Sequence, residues 1–133
     1  MPSFANRVSR RFSTTVAGGA DSDLSHEVTA DATIEKVTVR FYPGPLLDLE
    51  LRPYVETDDG QRVDLVDVIG RDKIVGDDDV FEFYVSEPIR EGESIGVEYT
   101  NQDPSNSYDF VVDMEVDRIG GLNRVTRFVR GLV

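Results

Sequence analysis

The stretch Thr33–Thr57, TIEKVTVRFYPGPLLDLELRPYVET, decides the fold. Val37, Val39 and Phe41 share one parity, with Thr38 and Arg40 between them. Beyond the Pro43-Gly44-Pro45 corner, Leu47, Leu49 and Leu51 do the same, separated by Asp48 and Glu50. Successive strand side chains point to opposite faces, so each run has one apolar and one charged face. The apolar faces need a cover, and the rest of the chain supplies strands to provide it.

Working outward, turn signals recur about every ten residues, a spacing typical of all-β sandwiches. A weak strand is expected at His26–Ala30. Asp58-Asp59-Gly60 reads as a hairpin turn leading into Gln61–Val66. Lys73–Val75 is a marginal strand, and Val80–Val85 places Phe81, Phe83 and Val85 on one face. After Glu91-Gly92-Glu93, Ser94–Thr100 groups Ile95, Val97 and Tyr99. The turn-rich NQDPSNS (101–107) then leads to Tyr108–Asp117, where Phe110, Val112, Met114 and Val116 alternate with acids. The pattern predicts an all-β fold, an antiparallel β-sandwich of jelly-roll or immunoglobulin-like type. Its core should contain Val37, Val39, Leu47, Leu49, Leu51, Phe81, Phe83, Val97, Phe110, Val112 and Met114.

Both ends depart from this pattern. In residues 1–20, Phe4, Val8 and Phe12 recur at steps of four, with Arg7, Arg10 and Arg11 off their arc. That spacing predicts a short basic amphipathic helix or arm, ended by Gly18-Gly19, with GGADSDLS (18–25) as a linker. Ser9-Arg10-Arg11 is similar to a twin-arginine export signal, but an apolar stretch is missing after it, and export through this segment is not expected. At the other end, Leu122, Val125, Phe128, Val129, Leu132 and Val133 gather on one side of a helical wheel, opposite Arg124, Arg127 and Arg130. The chain thus divides into a basic arm (1–20), a sandwich domain (21–119) and a basic amphipathic segment (120–133).

Charge follows the same division. The 133 residues carry a formal net charge of −12. All 26 acidic residues lie between Asp21 and Asp117, against seven basic ones there, so this region stands at −19 and the two ends together at +7. Lysine supplies only two of the fourteen basic residues. An acidic, lysine-poor surface is characteristic of proteins that work in dense salt, where screening relieves carboxylate repulsion.

The chemistry available is narrow. The chain has no cysteine, so neither disulfides nor thiolate chemistry are open to it. His26 is the only histidine, which leaves no typical zinc set and no convincing triad. Asp77-Asp78-Asp79 are the candidate ligands for Ca²⁺ or Mg²⁺, although no EF-hand spacing surrounds them and solvated turns are the plainer reading. No Gly-rich phosphate cradle is present, and no cofactor is expected. The charge of the body disfavours nucleic acid, leaving only the terminal arginines to meet phosphates.

The acidic, lysine-poor, cysteine-free strand run 33–117 with arginine-bearing ends at 3–12 and 122–133 resembles small β-sandwich structural proteins of haloarchaeal virus particles, the minor capsid, vertex and decoration proteins. The resemblance lies in architecture and composition and in no motif. It implies a non-enzymatic virion subunit that meets other subunits of a homo- or hetero-oligomer through Phe4, Arg7, Val8, Arg10, Arg11, Phe12, Arg124, Arg127, Phe128 and Arg130. Contact of the ends with an acidic lipid surface is a further expectation. The alternative is a carbohydrate- or protein-binding sandwich module of a haloarchaeal surface protein. On the arm reading, the N-terminal segment leaves its own sandwich to pack on a neighbour.

The charge makes a first prediction. The Debye length shrinks from about 10 Å at 0.1 M salt to about 3 Å at 1 M. Thermal unfolding followed by circular dichroism should therefore show the midpoint rising strongly from dilute to molar KCl; a flat response would remove the high-salt reading.

Overall fold

Tyr108–Arg118 is the strand that ties one sheet together, because its apolar alternation is long and lies between two partners. The computed structural model describes residues 7–118. In chain order the strands are β1 Arg7–Val16, β2 Asp21–Glu27, β3 Ala32–Phe41, β4 Leu49–Glu56, β5 Arg62–Asp64, β6 Ile74–Val75, β7 Val80–Ile89, β8 Ser94–Asn101 and β9 Tyr108–Arg118. A short 3₁₀ helix, Leu65–Ile69, follows β5. One sheet has the order β1-β9-β3-β7 and the other β2-β8-β4-β5, with β6 also on β4.

The pairing has a simple logic. β1 pairs with β9, β2 with β8, β3 with β7, and β4 with β5, all antiparallel. The chain is one long hairpin, folded over so that alternate pairs fall in opposite sheets. That is the jelly-roll arrangement.

The inner faces pack as the alternation requires. Val37, Val39, Phe41, Phe83, Phe110, Val112 and Met114 of the first sheet meet Leu49, Leu51, Val55, Ile95 and Val97 of the second in one buried cluster. Phe81 packs against it while partly exposed, edge-on to Phe41 at 6.0 Å between centroids. At Glu35 the register of β3 shifts against both neighbours. The bulge changes parity, so Ala32 and Ile34 are buried on one side of it and Val37, Val39 and Phe41 on the other.

Several expectations are corrected. Residues 7–16 form a strand of the sandwich where a helix or detached arm was expected, so the arm ending at residue 20 is not a separate unit over that span. A step of four is even, and therefore keeps Val8, Phe12 and Val16 on one face of a strand as well as of a helix. Phe12, 6% exposed, and Val16 are in the core. The supposed linker 18–25 contains most of β2, a largely exposed edge strand with no alternation to betray it. The strand expected at His26–Ala30 instead ends at Glu27. Leu47 is 67% exposed, because a turn closed by the Asp48 N–H to the Pro45 carbonyl delays the strand until Leu49. Residues 65–66, read as strand, begin the 3₁₀ helix, and β7 runs on to Ile89. The segment 120–133 and residues 1–6 lie outside the described residues.

Leu49→Ala or Phe83→Ala should cost about 2–5 kcal/mol, whereas Leu47→Ala should stay within about 0.5 kcal/mol of the parent. Denaturant unfolding at fixed KCl separates these; equal costs at positions 47 and 49 would contradict the turn that holds Leu47 outside.

Candidate functional site

The strands run between two opposite ends. One end gathers the turns 17–20, 42–48, 76–79 and 102–107; the other gathers the turns 28–31, 57–61 and 90–93 with Arg7 and Arg118.

At the first end the chain is braced around a projecting tip. Gly44, at φ 129°, donates its N–H to Asp77 Oδ1 at 2.6 Å and lies against the Tyr108 ring. Phe41 donates to the Asp79 carbonyl at 2.8 Å, and Gln102 to the Asp48 carbonyl at 2.8 Å. Leu46 has φ 54°, in the left-handed region that costs a non-glycine residue about 1–2 kcal/mol. The result holds Leu46 and Leu47 at 65% and 67% exposure, beside Asp48. Buried Asn101 anchors the neighbouring turns, its Nδ2 donating to the carbonyls of Val16, Ala17 and Asn106. Asp103 accepts from the Tyr108 hydroxyl, from Asn106 Nδ2 and from the N–H groups of Ser105 and Asn106. These bonds, Tyr108's foremost, hold the Asp103 carboxyl below the ordinary carboxylate range and raise the Tyr108 phenol above its usual value.

At the opposite end a small cleft of about 20 Å³ enters between the sheets. Val8, Val28, Ile89, Ile95 and Val116 give it apolar walls, and Arg10, His26 and Arg118 bring positive or titratable nitrogen. None of the described residues lining it is acidic, in a chain whose formal charge is −12.

The outer face of the second sheet carries a brace. Tyr54, 1% exposed, lies across Gly96, where a Cβ would come within 2.5 Å of the phenol oxygen. Arg62 covers the ring at 4.1 Å and reaches Glu56 at 2.9 Å, Glu98 at 3.1 Å and Asp23 at 3.2 Å. Burial, then the hydrogen bond to Asp23, pushes the Tyr54 phenol upward. Each ion pair is about a third exposed, so the brace orders four strands more than it stabilises them.

The residues expected to meet a partner are dispersed. Arg11 is held by Asp113 through two bonds, at 2.8 and 3.1 Å, on the outer face. Arg10 and half-buried Val8 turn toward the cleft, while Phe12 is consumed by the core. Arg7 starts β1 opposite Asp117. Phe4, Arg124, Arg127, Phe128 and Arg130 lie outside the described residues. Asp77, Asp78 and Asp79 organise the tip turns, with the Asp77 N–H bonded to Asp79 Oδ2, and among the described residues no group of three or more carboxylate or histidine side chains converges to hold a metal. The Leu46-Leu47 tip was missed, although adjacent leucines cannot both obey strand alternation.

No protein-family model matches the sequence. A search of the curated proteins also gives no match. Among solved structures, the chain is similar to the Yersinia pseudotuberculosis-derived mitogen, at 11% identity and TM-score 0.49, covering 80% of this chain and 84% of that one. It is similar to the SPBc2 prophage-derived protein YomS at 10% identity and TM-score 0.40, covering 81% and 95%. A chain of infectious bursal disease virus Gx strain matches at 13% identity and TM-score 0.42, covering 85% of this chain and 33% of that one. Similarities this distant assign no function.

The Asp103 hub makes a pH prediction. A carboxyl whose folded pKa is lowered contributes stability above its unfolded pKa of about 3.9 and loses it as pH falls through the folded value. Asp103→Asn should therefore melt below the parent at pH 7, and the gap should close as the pH drops beneath the ordinary carboxylate range. A gap that is constant down to pH 3 would show that the charge at position 103 is not what matters.

Proposed function

We propose that this protein is a non-enzymatic structural subunit that works by assembling into a larger particle, a virion of a halophilic archaeal virus. The observation that carries the reading is the Leu46-Leu47 tip. Its backbone conformation is costly, its turns are braced by hydrogen bonds to Asp77 and Gln102, and the outcome is two leucines held in water. Burying a leucine is worth about 1.5–3 kcal/mol. A contact surface gives that conformation a use.

Other features support the reading without carrying it. Jelly rolls serve in viral capsid and lectin domains, which is an analogy of fold and no more. The lack of cysteine and the single, exposed histidine leave little for acid–base or nucleophilic catalysis. The lysine-poor acidic composition fits a salt-rich setting. The partners are other subunits of the particle.

Sedimentation velocity of the full chain in molar KCl tests the proposal. The parent should form species larger than a monomer, rising with concentration. Leu46→Ser/Leu47→Ser should shift the distribution to monomer with an unchanged melting midpoint. A parent that stays monomeric at all concentrations, alone and with particle components, would overturn the assembly reading.

A further inference from the structure

We propose that β1 of one copy adds to the free edge of β7 on a second copy, so that the sheet β1-β9-β3-β7 continues from subunit to subunit. The inference rests on the assembly reading and gives it a second contact beside the tip. Among the described residues, β1 pairs only with β9 and β7 only with β3, so each leaves one side of its backbone unpaired. Both strands are ten residues long. Three antiparallel steps separate them, so β1 runs opposite to β7. A copy laid beside the first in the same orientation therefore presents β1 antiparallel to β7, with its core face on the same side.

Charge selects this pairing. β1 contains arginine and no acid, and β7 contains Glu82 and Glu87 and no base. On each strand one charge lies on the core-facing parity: Arg10 is opposite buried Met114, and Glu87 is opposite buried Ile34. Neither is in an ion pair among the described residues. The flanks carry the same signs. Arg10, Arg11 and His26 line the groove along β1, with no acid, and Asp64, Asp67 and Glu87 line the groove along β7, with no base.

The same two residues set the register. Arg10 opposite Glu87 puts Phe12 beside Val85, Thr14 beside Phe83 and Val16 beside Phe81, and the strands overlap along almost their full lengths. A slip of two residues either way sets each charge against an apolar side chain, and a slip of one turns the faces over. Phe81 and Val85 pack on the core while partly exposed, and the added strand covers them. Pro88 lies next to the end of β7, so at most one donor is missing from the edge.

The other edges fit worse. β1 on β1, or β7 on β7, puts two copies of Arg10 or of Glu87 on one core face with no opposite charge, and inward charges blunt edges against such pairing. β2 turns Leu24 and His26 to its core face, opposite Val97 and Ile95, and offers Arg10 no acid there. Placing His26 opposite Glu87 would align β2 with only residues 86–89 of β7. β2 on β2 brings Asp21, Asp23 and Glu27 together with their own images. β5 and β6 are three and two residues long, too short to hold a ladder. The surviving contact is heterologous, and it propagates as a closed ring or an open filament. One edge ladder buries less than the roughly 1,200–2,000 Å² of a standard interface, so the edge and the tip contacts are needed together.

The chain's lack of cysteine makes the test direct. Ser13→Cys chains are mixed with Tyr84→Cys chains in molar KCl and oxidised. Both positions are exposed, on the outer face of β1 and of β7, and they stand opposite each other in this register. A disulfide-linked heterodimer should form, and the double variant should give a ladder or a ring. Ser9→Cys, also exposed on β1 but about 14 Å further along, is the register control and should link to position 84 at background level. Separately, Arg10→Glu or Glu87→Arg alone should weaken self-association by about tenfold or more. This is read at the lowest KCl that keeps the parent folded and oligomeric, where screening is least. An equal mixture of the two variants pairs unlike charges at every joint and should restore association. Melting midpoints confirm that each variant is folded.

An oligomeric parent without a link between positions 13 and 84 would overturn edge pairing and leave the assembly reading standing. That is also the result if a terminal segment of the same chain covers β7. Equal linking from position 9 would overturn it as non-specific, and a mixture that fails to recover would overturn the pairing of Arg10 with Glu87. If the parent is monomeric at every concentration and nothing links above control, both readings fall.

Discussion

The bulge at Glu35 is the constraint on which the first sheet depends. Without it, Ala32 and Ile34 would lie on the opposite face from Val37, Val39 and Phe41. Side-chain direction alternates strictly in a regular strand, and one inserted residue reverses it. The shift is shared: Ile34 aligns with Val116 and Lys36 with Glu115, so β9 keeps Met114 and Val116 on its buried face across the irregularity. It also leaves Lys36 outside, within reach of Glu82 at 3.5 Å and Glu115 at 4.0 Å. Both the buried cluster and the outer charge pairs take their positions from this one break in register.

The parts of the fold that were legible are those where one face is buried and the other wet. Phe110 to Val116 and Leu49 to Leu51 alternate because the sheet forces them to, and the chain order of the strands followed from that. β2 was hidden because it is an exposed edge, held to β8 by its backbone and to the core by Leu24, so nothing in DSDLSHE had to alternate. β1 was misread because its apolar spacing satisfies two periodicities at once; what resolves it is the eleven-residue partner β9, far away in sequence. Strand order is likewise a matter of distant pairing.

The candidate site was harder still. The tip is made by a turn, and turns announce themselves through Pro43-Gly44-Pro45 without saying which neighbours they expose. The cleft is assembled from β1, β2 and the turn after it, β3, β8 and the ends of β7 and β9, and its chemistry is a local reversal of the overall charge. The division of charge along the sequence hinted that arginine had a separate task. Yet Arg11 answers Asp113 across the sheet, while adjacent Arg10 turns the other way, and only the strand parity distinguishes them.

The nesting of strand pairs bears on how the protein is made. β9 lies between β1 and β3, and its contacts with β1 join residues such as Arg7 and Asp117 at nearly the full length of the described chain. A nascent chain emerging from the ribosome therefore holds β1 and β3 with their shared neighbour still missing. Long-range pairing of this kind slows folding and prolongs exposure of unpaired strands. β4 and β5, joined by the turn at Asp58–Gly60, can close early and nucleate the second sheet, while the first must wait for the last strand to arrive. A ribosome stalled before residue 108 would carry a half-built sandwich whose bare strands Phe41 and Val39 line, and the acidic outer faces would be the main guard against its neighbours on the same message.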